Sequence, residues 1–253
     1  MSRGAHRLAF PAAGAAVWHD VECASYRADL PLWRELAADR GGPILDLGCG
    51  TGRVSLELVA HGHEVTGIDT DPELVRALAE RAQSRRLAVK AHVADGRCFD
   101  LGAKYPLAIA PMQVVQLLGG AAGRGALLAS VARHLAPGGL LALALADPFE
   151  AVPAGEALPP LPDVLELDGW VFSSTPVAVR DEGEVVAIDR HREAVSPAGE
   201  LIEEAVTIRL EAVTPAALER EAARAGYSAL ALRRVPATPD YVGSSVVLLE
   251  ASP

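Results

Sequence analysis

The stretch Ile44-Leu45-Asp46-Leu47-Gly48-Cys49-Gly50-Thr51-Gly52-Arg53 carries the strongest fold signal, because an apolar strand runs there into three glycines at alternate positions. A helix pattern follows at once over residues 54–60. Glycine suits such a turn because the backbone bends sharply and a ligand lies against the main chain, where a Cβ would collide. The free amides at the start of the following helix point at that ligand. The stretch therefore predicts a nucleotide-binding turn.

The spacing of the glycines narrows the ligand. A dinucleotide-binding turn has the pattern G-x-G-x-x-G, with a glycine at its sixth position. In this chain the order is Gly48, Gly50, Gly52, and the sixth position is Arg53. The spacing disfavours a pyrophosphate. NAD-dependent or nucleotide-sugar oxidoreduction is then supported by fold similarity alone, which does not establish function.

Composition excludes several classes of protein. Half of the 253 residues are apolar, but no run reaches the ~18 apolar residues of a membrane span, and no signal peptide is evident. We therefore expect a cytoplasmic protein with no membrane partner. The net charge of −10 disfavours nucleic acid as a partner. Cys23, Cys49 and Cys98 are scattered, which indicates reduced thiols and no metal site.

Strand and helix patterns alternate from residue 43 to about residue 146, which is typical of βαβ units and a parallel sheet with helices on both faces. Asp71 and Pro72 begin one of the helices, as N-cap and first-turn residue. The pattern predicts strands at 43–47, 64–69, 88–93 and 106–110, helices to about residue 85 and over 126–135, and a fifth strand after the turn 137–139.

The pattern changes after Pro148. A proline-rich loop is followed by alternating segments at 169–180, 184–195 and 201–213, separated by turn residues, which predicts a small antiparallel β insertion. Thr214 then caps a helix, and strands at 229–235 and 245–250 close the chain. We divide the chain into an N-terminal helical cap (1–40), a cofactor-binding core (41–150), the insertion (151–213), and a C-terminal helix with the closing strands (214–253).

Two carboxylates stand at successive strand ends, where ligands of such sheets bind. Asp69 ends the second strand about twenty residues after the glycine turn, at the position where an acid meets ribose hydroxyls. Asp95 follows the third strand and is placed to accept from an adenine amino group. The alternatives are that Asp69 only caps the following helix and that Asp95 is a surface turn residue. Two acids favour an uncharged or cationic nucleoside.

With these motifs the chain resembles the class I S-adenosylmethionine-dependent methyltransferases of the small-molecule type. The resemblance covers residues 40–146 and the closing strands, and it rests on 46–52, 68–69, 94–96 and 135–139. It implies an α/β, Rossmann-like, doubly wound sheet of seven strands, mostly parallel with the last strand antiparallel. It also implies S-adenosylmethionine as the cofactor, S-adenosylhomocysteine as its product, and a small-molecule acceptor.

The resemblance assigns residues to the cofactor. Asp46 orients the glycine turn or the methionyl amino group, Asp69 holds the ribose, and Asp95 and the Gly96 amide hold the adenine. The exit of the fourth strand lines the methyl group. The full predicted set is Asp46, Gly48, Cys49, Gly50, Gly52, Asp69, Thr70, Ala94, Asp95, Gly96, Ala110, Pro111 and Met112.

The acceptor side is less defined by the sequence. Methyl transfer from a sulfonium is an in-line displacement, in which positioning supplies much of the rate and a base can help. The candidate catalytic residues are His19, Tyr26, Gln113 and His191. Tyr26 is alternatively a packing residue, and His191 a solvated residue of a strand face. Gln113, Gln116 and Asp147, at strand exits, are the candidate acceptor contacts.

The sequence therefore predicts a methyltransferase that acts on oxygen, nitrogen or carbon of a small metabolite. The alternative is a methyltransferase fold with a non-methylating role, either a cofactor-assisted cyclase or a regulatory binding protein, because no base is unmistakable. The insertion either roofs the acceptor site or makes a homodimer contact. Fold by itself does not decide between these functions.

Overall fold

The computed structural model describes residues 14–146, 161–238 and 241–251. Its first part begins with two helices, after which strands and helices alternate as the sequence predicts. These elements are α1 (Ala15–Cys23), α2 (Leu30–Arg40), β1 (Ile44–Leu47), α3 (Arg53–Ala60), β2 (Val65–Asp69), α4 (Pro72–Arg85), β3 (Val89–Val93), β4 (Tyr105–Ala110), α5 (Gly120–Ala132) and β5 (Leu135–Ala146).

The second part of the chain is mostly antiparallel. Four strands come first, then one helix and three further strands. They are β6 (Asp163–Leu167), β7 (Trp170–Asp181), β8 (Val185–Val195), β9 (Leu201–Glu211), α6 (Pro215–Arg224), β10 (Tyr227–Ala229), β11 (Arg233–Val235) and β12 (Ser244–Ala251). Thr214 caps α6 as predicted, since its side chain accepts from the backbone N–H of Ala217.

The main sheet has the order β10-β12-β5-β4-β1-β2-β3, with β11 also paired to β12. Strands β1 to β5 are parallel, and β12 runs antiparallel to β5. The predicted doubly wound α/β fold is confirmed. The closing strand expected at 229–235 is two short strands, β10 and β11, which pair with different stretches of β12. Chain order reverses between β1 and β4, and ligands of such sheets bind at that reversal.

Apolar residues cover both faces of this sheet, because its strands are buried on both sides. One cluster joins Leu45, Leu47 and Leu141 to α5 and α6. The other joins Ile44 and Ile109 to α2 and α3. The alternation of the two sets along each strand follows the period of two. The two cores hold the carboxyl ends of β1, β2 and β4 in a fixed relation.

A separate four-stranded antiparallel sheet has the order β6-β7-β8-β9. The three strands predicted for the insertion correspond to β7, β8 and β9. Strand β6 was not predicted, because its short pattern follows directly on a proline-rich stretch typical of a loop. Helix α1 packs on this sheet, where the Trp18 ring meets Phe172 edge to face at 5.7 Å between centroids.

Helix α5 and strand β5 depart from the predicted bounds. The helix begins at Gly120, ahead of the predicted residue 126; its first turns were not predicted, because the glycine-rich stretch that forms them has low helix propensity. Strand β5 begins at Leu135, and the turn expected before it lies within it, as an irregularity in its register with β4. No helix within the described ranges has the length and hydropathy needed to cross a membrane. The four-part division of the chain stays a prediction.

Candidate active site

A cavity of about 420 Å³ lies at the carboxyl ends of the parallel strands, where the chain order reverses. It extends from the glycine turn after β1 to the residues that follow β2, β3 and β4. Twelve of the residues predicted from the sequence line it: His19, Asp46, Gly48, Cys49, Asp69, Thr70, Ala94, Asp95, Gly96, Pro111, Met112 and Gln113. The fold thus brings together residues that are far apart in the sequence.

The glycine turn has the backbone shape that the sequence predicts. Gly48 and Gly50 have φ of +67° and +54°, which L side chains rarely adopt. A Cβ on Gly48 would lie 2.6 Å from Val114 Cγ2, and one on Gly50 would lie 2.3 Å from His19 Nε2. The turn is therefore a cradle that a side chain would fill. Gly50 and Gly52 are not cavity walls, and Gly52 caps α3 against Leu78.

Asp46 is the deepest charged residue of the cavity wall. Its side chain is buried, and Ser55 Oγ donates to Oδ2 at 2.6 Å. Oδ1 is buried and has no hydrogen-bond partner, the one such side-chain atom among the described residues. Burial raises the pKa of this carboxyl to about 7. An unpaired buried acceptor beside a glycine cradle fits a ligand that brings a donor or a positive charge.

Asp69 supports the turn and also faces the cavity. Its Oδ2 accepts from the Gly50 N–H at 2.9 Å, and its Oδ1 accepts from the Asp71 N–H at 3.0 Å. Asp71, in turn, caps α4. Each carboxylate oxygen has a further lone pair, so these bonds leave Asp69 able to accept from a ligand hydroxyl. The helix-supporting interpretation and the ligand-binding interpretation are therefore compatible.

Asp95 lies at the far end of the cavity and is paired with Arg97. Arg97 Nη2 is 2.7 Å from Asp95 Oδ2, and the Arg97 backbone N–H donates to Oδ1 at 2.9 Å. Hydrogen bonds from the Arg97 side chain and backbone hold the pKa of Asp95 below its ordinary value. Asp95 is therefore a turn residue and a cavity residue together. The sequence did not single out Arg97 as its partner.

Arg53 has a role that sequence reasoning missed. Its guanidinium lies on the cavity and makes a bidentate pair with Asp29, at 2.6 and 2.7 Å, and also donates to the Tyr26 carbonyl at 2.9 Å. Trp33 Nε1 donates to Asp29 as well, at 2.8 Å. Both charged side chains are almost fully buried. The residue that replaces the sixth glycine thus ties α2 to the cavity.

Tyr26 is not a cavity residue, contrary to the catalytic prediction. Its ring lies under the Arg53 guanidinium, 5.1 Å from centroid to Cζ, and against the Tyr241 ring at 5.1 Å. Burial, and next the charge of Asp29, raise the pKa of its hydroxyl. The packing alternative describes its position.

Helix α1 covers the glycine turn. His19 and Cys23, four residues apart and so on one face of the helix, line the cavity, while Trp18 and Glu22 on another face contact the second sheet. Burial raises the pKa of Cys23 to about 12, so its thiol stays protonated. Cys23 was not predicted as a site residue, although its spacing from His19 is a signal for it.

At the exit of β4, Pro111, Met112 and Gln113 line the cavity, and Met112 has a φ of +58°. Ala110, predicted to bind cofactor, is a fully buried core residue instead. Gln116 also lies away from the cavity. Its amide donates to the carbonyls of Ala146 and Glu211 and accepts from the Ala146 N–H, so it joins the ends of β5 and β9. Asp147 lies outside the described residues.

His191 does not line the cavity. It stands on β8 with its Nε2 3.3 Å from Glu203 Oε1 on β9. Together with Glu193 these are the one group of three metal-ligating side chains found in the described part, with ligand atoms within 4.8 Å of one another. A role as base for the cavity does not fit this position, because the side chain is part of the second sheet and is 40% exposed.

The remaining wall of the cavity is apolar. Much of it consists of side chains from α4, α5 and the turn after β4, which the sequence analysis did not single out. They are Leu74, Val114, Leu117, Leu118 and Leu127. The cavity therefore combines a charged floor at the strand ends with apolar sides, which suits a ligand that has both a flat ring and polar groups.

Known proteins share both the sequence and the shape of this domain. Residues 44–139 match a family model described as a methyltransferase domain. The O-methyltransferase rstn1 of Aspergillus nomiae is 29% identical over 166 residues, which is 64% of this chain and 69% of that protein. The S-adenosyl-L-methionine-dependent Diels-Alderase iccD of Talaromyces variabilis is 35% identical over 118 residues, 46% of this chain and 40% of that protein. Matches to curated relatives cover as little as 13% of their length.

Among solved structures, the sugar N-methyltransferase KedS8 of Streptoalloteichus superposes with a TM-score of 0.77, covering 100% of this chain and 99% of that chain. The two sequences are 20% identical, so the likeness shows a common fold. The matched domain spans β1 to the start of β5, which carries the glycine turn, Asp69 and Asp95. Residues 44–139 therefore match a methyltransferase domain, within a chain that shares the fold of KedS8.

Proposed function

We propose that this protein transfers the methyl group of S-adenosylmethionine to an oxygen, nitrogen or carbon atom of a small molecule by in-line displacement. The observation that carries this proposal is the single cavity that joins the glycine cradle, the acids at the ends of β2 and β3, and the exit of β4. A methyl donor and an acceptor must meet in one enclosed space for such a displacement.

The cofactor fits this cavity by its chemistry. Asp46, with its unpaired buried oxygen, would hold the methionyl ammonium against the glycine turn. Asp69 would accept from the ribose hydroxyls. Asp95 would accept from the adenine amino group, with the Gly96 amide beside the ring and the apolar side chains of the wall against its faces. Thr70 and Ala94 complete the predicted set on the cavity.

The bound cofactor supplies an electrophilic methyl group on a sulfonium, so no covalent protein nucleophile is required. The chain's own residues then have two tasks. Pro111, Met112 and Gln113 at the β4 exit position the acceptor, and the Gln113 amide offers both a donor and an acceptor. Helix α1 and the apolar wall keep water from the reacting atoms.

The class of acceptor is inferred from two supports. The net charge of −10 disfavours a phosphate backbone as partner. KedS8 is named a sugar N-methyltransferase and rstn1 an O-methyltransferase, which is consistent with a small acceptor and with either atom. A homodimer through the second sheet and a roof over the acceptor by residues 151–213 stay predictions.

Calorimetry with S-adenosylhomocysteine tests the proposal directly. We expect the whole chain to bind it, and Asp69→Ala to lose about 1.5–3 kcal/mol of binding free energy, the scale of hydrogen bonds to a charged group. Asp100→Ala, an exposed carboxylate outside the cavity, is the matched control. Absence of binding by the unaltered protein would refute the proposal.

A second candidate function is a cofactor-assisted cyclisation. It is favoured by the match to iccD, which is named an S-adenosyl-L-methionine-dependent Diels-Alderase. Incubation with methyl-labelled S-adenosylmethionine and small-molecule extracts separates the two functions. Label that leaves the cofactor supports methyl transfer, whereas tight binding with no transfer to any extract favours the second candidate.

A further inference from the structure

A chain of hydrogen bonds runs from α4 through α1 to the glycine turn and ends on the ring of His19. Arg81 pairs with Asp20 through both nitrogens, with Nη1 2.9 Å from Oδ1, and also donates to the Thr51 carbonyl at 3.2 Å. The Thr51 hydroxyl lies 2.7 Å from Asp20 Oδ1 and 3.2 Å from His19 Nδ1. All of these hydrogen bonds involve side chains, so they are separate from the backbone bonds that form α1 and α4.

The hydrogen atoms in this series of hydrogen bonds can be placed by counting the donors and acceptors of each side chain. An Asp20 carboxylate paired with Arg81 accepts only, so the single Thr51 hydroxyl hydrogen is donated to it. Thr51 Oγ1 can then only accept from His19, and Nδ1 must carry the hydrogen. A neutral imidazole has one N–H, so His19 Nε2 is bare.

The bare nitrogen lies at the glycine cradle. A Cβ on Gly50 would be 2.3 Å from it, so the edge of the His19 ring can lie this close to the turn only because residue 50 is glycine. His19 lines the cavity, and among the described residues no protein group bonds to Nε2. Because a bare ring nitrogen only accepts, it suits a ligand group that donates a hydrogen bond.

The charged groups around the ring come from four elements. Asp20 on α1 and Asp69 on β2 favour the imidazolium, whereas Arg81 on α4 and Arg53 on α3 oppose it. Burial is the largest influence and lowers the pKa of His19 below its ordinary value of 6.5. The ring is therefore neutral at pH 7.

We infer that Arg81, Asp20 and Thr51 are positioning residues that hold His19 as the Nδ1–H tautomer, and that its Nε2 accepts a hydrogen bond from the cofactor beside Gly50. This inference rests on the proposed function. Two donors of the cofactor have the required chemistry, a ribose hydroxyl and the methionyl ammonium. It gives His19 a part in cofactor binding in place of the predicted part as a base.

The tautomer can be measured in the ligand-free whole chain. Two-bond ¹H–¹⁵N correlation NMR distinguishes a protonated ring nitrogen from a bare one, and the His19 signals are assigned by their loss in His19→Asn. We expect Nδ1–H in the unaltered protein, a shift to Nε2–H in Thr51→Val, and return of Nδ1–H in Thr51→Ser. An Nε2–H ring in the unaltered protein, or no change of tautomer in Thr51→Val, would overturn the inference that Thr51 fixes the tautomer of His19.

The contact with the cofactor is tested by a pair of His19 variants. In His19→Asn the shorter amide can still donate to Thr51 but leaves no acceptor at the place of Nε2, whereas in His19→Gln the amide oxygen reaches that place. We expect His19→Asn to bind S-adenosylhomocysteine about tenfold more weakly, the scale of one hydrogen bond, and His19→Gln to recover part of the loss. Unchanged affinity in both variants would overturn the contact.

A truncated ligand identifies the donor. 5′-Methylthioadenosine keeps the ribose and lacks the amino acid, so an equal loss in His19→Asn assigns the contact to a ribose hydroxyl, and no loss assigns it to the ammonium. If the unaltered protein binds neither ligand, the proposed function fails. The NMR measurement on the ligand-free protein tests the tautomer of His19 independently of that outcome.

Discussion

The buried pair of Arg53 and Asp29 offers a prediction whose size follows from the structure. Arg53→Met keeps most of the length of the side chain and removes three hydrogen bonds, two to the Asp29 carboxylate and one to the Tyr26 carbonyl. Asp29 is 2% exposed, and only Trp33 Nε1 among the bonds to its side chain would remain. A buried charge left with one neutral donor costs about 3–5 kcal/mol of the free energy of unfolding.

Urea unfolding of the unaltered protein and the variant, followed by circular dichroism, measures this loss. Arg76→Met is the matched control, because Arg76 pairs with Glu80 on an exposed helix face, with exposed fractions of 68% and 69% for the two side chains. We expect the control to change the free energy of unfolding by about 0.5 kcal/mol or less.

The double variant Arg53→Met with Asp29→Asn separates the lost pair from the lost packing. Neutralising Asp29 removes the unpaired charge, so the double variant should be destabilised by about 1–3 kcal/mol less than the sum of the single variants. A loss of under ~1 kcal/mol in Arg53→Met, or strict additivity in the double variant, would show that removing Arg53 does not leave a costly unpaired charge on Asp29.

Three further predictions concern the cavity and its support. The pKa of about 7 at Asp46, against 3.8 for an exposed Asp, means that the folded state holds the proton more tightly. The unaltered protein should therefore lose stability relative to Asp46→Asn as pH rises from about 4 to about 7, by about 4 kcal/mol at most, in urea titrations at each pH; a constant difference would contradict this. Gln116→Leu should lower the free energy of unfolding by about 1–3 kcal/mol, because it removes the three hydrogen bonds that the buried Gln116 amide makes to the half-buried backbone of Ala146 and Glu211; a neutral effect would be inconsistent with those bonds. Gly50→Ala should weaken S-adenosylhomocysteine binding in calorimetry by about tenfold or more, since its Cβ displaces the His19 ring, whereas Gly62→Ala, with open space around it, should not.

Much of the fold was predictable because its signals are local. The glycine spacing at 48–52, the acids that end two strands and the Asp71 and Thr214 caps each lie within a few residues of the element that they define. The second sheet was predicted less completely, since β6 is short and follows prolines. Helix α5 began earlier than expected because tertiary packing against the sheet outweighs the low helix propensity of its glycines.

The residues that line the cavity were likewise predictable only in part. Asp46, Asp69 and Asp95 lie on it because strand ends of a parallel sheet share one edge. Gln116 and His191 were predicted from strand position alone, but the side chain of the first bonds the backbone of β5 and β9, and the second pairs with Glu203 on another sheet. The position of a residue along a strand does not predict which groups of neighbouring elements its side chain will contact.

The class of fold and the prediction of the cofactor came from the amino-acid order, because a strand, a glycine turn and an acid at the next strand end follow one another along the chain. Three features required the packed molecule: α1 lies on the glycine turn, Arg53 pairs with Asp29, and the Thr51 hydroxyl lies within hydrogen-bond distance of the His19 ring. These contacts join residues that are distant in the sequence and follow no repeating pattern. They arise from how helices pack over the sheet, and no local signal encodes that packing.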